Sequence, residues 1–151
     1  MLEAAERWIG PFQIRSLLES CLDPLAAKPP ETGSAYLVTK LGWQTAPTKE
    51  CVPLYVGGTT GISLRFRTRI GDLIADAFGF FTPTTGHHSG GQHIREWSLM
   101  NQVSPLDIYI SWIEGTACHR CLEIRLHREL KPILNRNKPS RCVQHDSKPA
   151  N

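Results

Sequence analysis

The sequence predicts an α+β domain, and three observations carry that prediction. Short β-branched and aromatic runs stand at Ala35–Thr39 (AYLVT) and around Leu54, Tyr55 and Val56, and a longer run at 106–113 (LDIYISWI) alternates apolar and polar residues. Between and after these runs, apolar residues recur at helical spacing: Ile62, Phe66, Ile70, Leu73 and Ala77 in one segment, Leu122, Leu126, Leu130 and Ile133 in another. At 151 residues the chain is long enough for one domain with one real core.

In chain order, Ile14, Leu17, Leu18, Cys21 and Leu22 follow the spacing of a helix with one buried stripe, starting at Pro11 and ended by Asp23-Pro24. Residues 1–32 therefore read as a helical extension, with Pro29, Pro30 and Gly33 leading into the first strand at 35–39. Gly42 and Pro47 mark a loop too long for a tight hairpin, so the next strand should return antiparallel to the first. Gly57, Gly58 and Gly61 permit a sharp turn into a helix flanked by Arg65, Arg67 and Arg69. Residues 79–92 hold five glycines or prolines among fourteen and read as a loop, followed by a short helix around 94–100. In the third strand Leu106, Ile108, Ile110 and Trp112 share one face. A helix over 117–131 follows, limited by Pro132, and the tail after Arg141 is polar.

The net charge of +3 is too small to argue for a polyanion partner, but its distribution is uneven. From Met1 to Gly33 there are five acidic and three basic residues, whereas 120–141 holds seven basic and two acidic. The second half thus carries the cationic surface. No apolar run approaches the roughly 18 to 20 residues needed to cross a bilayer. The segment MLEAAERW is unlike a signal peptide, so a cytoplasmic protein with reduced thiols and no membrane partner is expected.

One constellation runs through these elements. Tyr36 lies in the first strand, Tyr55-Val56-Gly57 in the second, Arg65 ten positions after Tyr55, Glu123 in the last helix, and Asn135 twelve residues beyond it after Pro132. Taken singly, each has an ordinary structural role: core tyrosine, turn glycine, surface arginine, surface carboxylate. In this order and spacing, over about two thirds of the chain, they resemble the GIY-YIG nuclease family. Ser34-Ala35-Tyr36 departs mildly from that family's first motif, and Tyr55-Val56-Gly57 matches the second with one conservative change.

The resemblance implies a small three-stranded antiparallel sheet flanked by helices, with residues 33–136 as the core. It also implies hydrolysis of phosphodiester bonds in nucleic acid, DNA first and RNA as the alternative, with one divalent ion. In that role Glu123 would ligate Mg2+, a hard cation satisfied by one carboxylate, waters and phosphate oxygens. Arg65 would brace the charged transition state, since guanidinium offers rigid paired donors. Tyr36 or Tyr55 would position or deprotonate the attacking water, given a neighbouring cation to lower its pKa. His88, on a glycine-rich loop folded over the site, is a further base, with His87 and His93 as rivals. Gly57, Arg69 and Asn135 would position substrate. A homodimer or a partner protein could supply specificity. The alternative is a zinc-stapled module that binds nucleic acid without cutting it.

A second pattern is independent of the first. Cys118-x2-Cys121 and Cys142-x2-His145 are separated by twenty residues, a spacing suited to a closed tetrahedral Zn2+ site. His119 and His127 are alternative fourth ligands. Such a site would fasten the tail, 137–151, to the start of the Glu123 helix. Cys21 and Cys51 fall among apolar residues and read as core.

Overall fold

A computed structural model of the chain describes residues 6–60, 62–80, 88–114, 118–136, 139, 141–143 and 145. Its centre is β2 (Ala35–Thr39), in which all five residues are buried. A strand covered on both faces reads as a continuous β-branched and aromatic run, which is why AYLVT is legible in the sequence. β2 is flanked by β3 (Pro53–Gly58) on one side and by β4 (Tyr109–Glu114) on the other, and both pairings are antiparallel.

The sheet has four strands, not the three expected. The fourth is β1 (Arg7–Gln13), antiparallel to β4, giving the order β1-β4-β2-β3. Trp8 lies opposite Ile113, Ile9 opposite Trp112 and Phe12 opposite Ile110, with the register slipping between Ile9 and Phe12. Gly10 and Pro11 occupy that slip. Proline cannot donate to a ladder and is tolerated at an edge or a bulge, so a dipeptide that reads as punctuation lies inside a strand.

The helix expected from Pro11 to Asp23 shrinks to α1 (Ile14–Glu19). Only Ile14 of its stripe is fully buried; Leu18 is 43 % and Leu22 92 % exposed, and Cys21 is exposed rather than core. The 106–113 strand is also shorter than expected, because Pro105–Asp107 forms a 3-10 turn capped by the Ser104 hydroxyl, which accepts from Leu106 N. Its face assignment stands for Ile108, Ile110 and Trp112, all in the larger core.

Helices cover both faces of the sheet. α2 (Phe66–Ala77) and α3 (Ser89–Asn101) pack with Tyr36, Val38 and Leu54 in the larger core. α4 (His119–Leu130) lays Leu122, Leu126 and Leu130 on Leu37, Val56 and Ile113 of the opposite face. α3 begins five residues earlier than the helix expected around 94–100, and Gly90 and Gly91 are its first turn rather than part of a loop. A Cβ on Gly90 would lie 2.4 Å from the Tyr55 ring, and one on Gly91 2.5 Å from the Leu73 carbonyl, so these glycines serve close approach. The rest of the expected loop, 81–87, including His87, lies outside the described residues.

The outer edge of β3 is covered by the segment after α4. Ile133 N donates to Pro53 O and Leu134 N to Leu54 O. The Asn135 side chain then accepts from Val56 N (2.9 Å) and donates to Val56 O (2.8 Å), as another strand would. Among the described residues no helix is long and apolar enough to cross a membrane.

Candidate active site and metal centre

Strand β3 ends in Gly57-Gly58, where neighbouring atoms leave no room for a Cβ. At Gly57 it would lie 2.3 Å from the Tyr36 hydroxyl oxygen; at Gly58 it would strike Ser34 O at 2.2 Å and come within 3.1 Å of Glu123 Oε1. The bare end of β3 thus lies between a tyrosine hydroxyl from β2 and a carboxylate from α4. A cleft of about 240 Å³ opens there, lined by Tyr55, Val56, Gly57, Gly58, Arg69, Arg120, Glu123, His127, Asn135 and Pro139.

Behind the cleft, Tyr36, Tyr55 and His88 form an aromatic cluster. The Tyr55 and His88 rings meet edge to face at 5.6 Å, and Tyr36 Oη lies 2.7 Å from His88 Nε2. His88 was expected on a loop over the site. It is instead 3 % exposed and stands at the N-cap of α3, held by a 2.7 Å hydrogen bond from its backbone N–H to Asp76 Oδ2. Asp76 is itself buried, and its Oδ1 has no partner among the described residues.

Burial sets the protonation states. It raises the Tyr36 phenol far above its ordinary range and raises Tyr55 as well, while Arg69 acts in the opposite sense on both and is outweighed. Both phenols are therefore neutral at pH 7. Burial, then the Arg69 charge, lowers His88 to about 4, leaving a neutral imidazole at pH 7. Glu123, with its side chain 15 % exposed, is raised by burial against the pull of Arg120 and Arg69; Arg120 Nη1 stands 3.5 Å from its Oε2.

The arginines are sorted differently from the expectation. α2 begins at Phe66, so Arg65 is its N-cap, exposed and not part of the cleft lining. Arg67 turns away and donates to Pro29 O at 2.7 Å. Of these three, Arg69, three residues after buried Phe66, is the one at the cleft, where its charge acts on Tyr36, Tyr55, His88 and Glu123. Asn135 lines the cleft but spends its amide on Val56, so its geometry is that of a strap on β3. Asp76 and Arg120 were missed. Asp76 had a signal: it sits beside Leu73 and Ala77 on the buried stripe of α2, where a lone carboxylate is out of place.

Adjoining the cleft, a second hollow of about 260 Å³ is lined by Tyr55, Ser89, His93, Leu134, Asn135 and Arg136.

On the far side of Glu123, Cys118, Cys121, Cys142 and His145 bring their ligand atoms within 4.8 Å of one another. Cys118 caps α4 and Cys121 lies in its first turn, so the helix holds two thiols, and Cys142-x2-His145 returns to meet them. The two Sγ atoms of Cys118 and Cys142 are 3.6 Å apart, and Cys142 Sγ lies 3.4 Å from His145 Nδ1. Bond lengths of about 2.3 Å to sulfur and 2.0 Å to nitrogen give tetrahedral edges of roughly 3.5 to 3.8 Å, so this cluster can hold a metal ion. The hydrogen bond with His145 lowers the Cys142 thiol to about 6, favouring the thiolate that a metal needs. His119 and His127 are not in the cluster.

Comparison of the chain with protein-family models, curated proteins and solved structures finds no match.

Proposed function

We propose that this chain is a metal-dependent endonuclease or nickase that hydrolyses phosphodiester bonds of nucleic acid, DNA in the first instance, on the GIY-YIG plan. The observation that carries this reading is the meeting, at one polar cleft, of Arg69, Glu123 and Tyr55, with Tyr36 and His88 directly behind. They come from α2, α4, β3, β2 and the start of α3, and each is a group that phosphoryl transfer uses.

Glu123 fits Mg2+ as a partly buried carboxylate in a polar cleft, the one acid among the described residues that line it. Bound there, the ion supplies Lewis-acid polarisation of the phosphate and charge neutralisation. Arg69 presents guanidinium donors to the non-bridging oxygens. The half-buried Tyr55 hydroxyl orients the attacking water. Behind Tyr55, Tyr36 Oη and neutral His88 Nε2, 2.7 Å apart, are assigned as the pair that takes up the proton, with Asp76 holding the His88 backbone in place. The Cys3His cluster takes Zn2+ in a structural role, fastening residues around Pro139 and Cys142 to the start of the Glu123 helix. Thiols kept reduced for that role suit a reducing, cytoplasmic compartment.

The test is cleavage of plasmid, branched DNA and RNA in Mg2+ with and without excess EDTA. Glu123→Gln is expected to abolish cutting while keeping the parent melting temperature; undiminished cutting would remove Glu123 from the site. Salt-sensitive binding by the parent without cleavage under any of these conditions would mark a nucleic-acid-binding module instead.

A further inference from the structure

The hollow beside the cleft is separated from it by a wall the two share, made of Tyr55 and Asn135. That wall is firmly held. Asn135 is bonded through both ends of its amide to Val56, and the Tyr55 ring is seated against Gly90, where even a methyl group would collide at 2.4 Å. The cleft and the hollow are therefore neighbouring compartments of fixed shape. Their linings divide the chemistry: the cleft holds Arg69, Arg120 and Glu123, whereas the hollow holds Arg136, His93, Ser89 and Leu134, with no acid among its lining residues.

The cleft has what one phosphate and its cation require. The hollow has what the next nucleotide requires: an aromatic and an apolar side chain for a sugar or base, and a guanidinium, an imidazole and a hydroxyl for a phosphate. Arg136 is exposed and free to reach a backbone, while His93 Nδ1 is buried without a partner among the described residues. A small phosphodiester fills only the cleft; a polynucleotide laid across Tyr55 fills both.

We infer that this hollow is a subsite for the nucleotide flanking the scissile phosphate, with Arg136 and His93 as its phosphate-binding residues. The substrate is then a polynucleotide strand rather than an isolated diester, and the inference rests on the hydrolase reading above.

The test uses the full chain carrying Arg136→Ala, and Arg136→Gln as the variant least able to disturb folding. Three measurements are compared with the parent: hydrolysis of bis(p-nitrophenyl) phosphate in Mg2+, cleavage of a short oligonucleotide, and anisotropy of the labelled oligonucleotide against salt in a Glu123→Gln background. The subsite predicts an unchanged rate on the small diester and a KM for the oligonucleotide raised about tenfold with kcat within about twofold. It also predicts a salt slope smaller by about 0.7 to 0.9, the loss of one phosphate contact. Parent-like KM and salt slope in both variants would overturn the subsite and leave the hydrolase reading standing. If the parent cleaves neither substrate, the hydrolase reading fails, and the salt slope alone decides the subsite: a reduced slope supports it and an equal slope removes it.

Discussion

Arg65 and Arg69 carry the same guanidinium four residues apart, and what separates them is where the helix starts. Arg65 precedes the first turn of α2 and points to solvent, whereas Arg69 faces the cleft. Under the proposed hydrolase function, Arg69→Ala should therefore lower kcat by about 10²- to 10³-fold, the usual loss for a donor that braces transition-state charge, and Arg65→Ala should change it by less than about twofold. Steady-state kinetics on one substrate checks both. His88 makes a prediction about stability. Its folded pKa of about 4 lies below the unfolded value of 6.5, so the unfolded chain binds the proton more readily in between. The stability this provides is complete above about pH 6.5 and is lost as the pH falls through about 4, a change on the order of 3 kcal/mol. Glu123, raised by the same burial, works in the opposite direction. The comparison that isolates His88 is urea unfolding of the parent and of His88→Asn at pH 7 and pH 4. The parent should lose more stability on acidification than the variant, and equal losses would contradict the buried neutral imidazole.

At the scale of elements, β3 is the part on which the site depends, because its open edge and its glycine end are both occupied. The strap at 133–135 replaces a missing strand, and Asn135 supplies both an acceptor and a donor to Val56. Asn135→Ala leaves that backbone pair unsatisfied and should cost about 1 to 3 kcal/mol. Asn135→Asp should be no better, since its second oxygen would face the Val56 carbonyl where a donor is required. Denaturant midpoints for the two variants test this; a parent-like Asn135→Asp would show that the amide donor is dispensable. β2 and β3 were legible from their β-branched and aromatic runs, and α2 and α4 from their helical spacing. The start of α3 was not, because Gly90 and Gly91 look like a loop until Tyr55 and Leu73 are seen against them.

For the whole molecule, the Cys/His cluster joins the last described residues to α4, the helix that covers one face of the sheet and carries Glu123. Metal analysis after dialysis should return about one zinc per chain, and Cys118→Ser with Cys142→Ser should abolish it and lower the melting temperature by several degrees. A zinc-free parent with the same melting temperature as the variant would remove the structural role. The Cys-x2-Cys and Cys-x2-His pairs were legible because chelating turns are local patterns. By itself the sequence determined the α+β class, the strand at 35–39, the two principal helices and these ligand pairs, all of which are written in residue type and spacing over a short stretch. Only the tertiary structure decided that the sheet has a fourth strand, since β1 is defined by a partner about a hundred residues away. It likewise decided that Arg69 rather than Arg65 meets the cleft, that Asp76 holds His88, and that Asn135 straps β3. Those outcomes depend on which surfaces meet when the helices pack on the sheet, and no window along the chain contains both sides of such a contact.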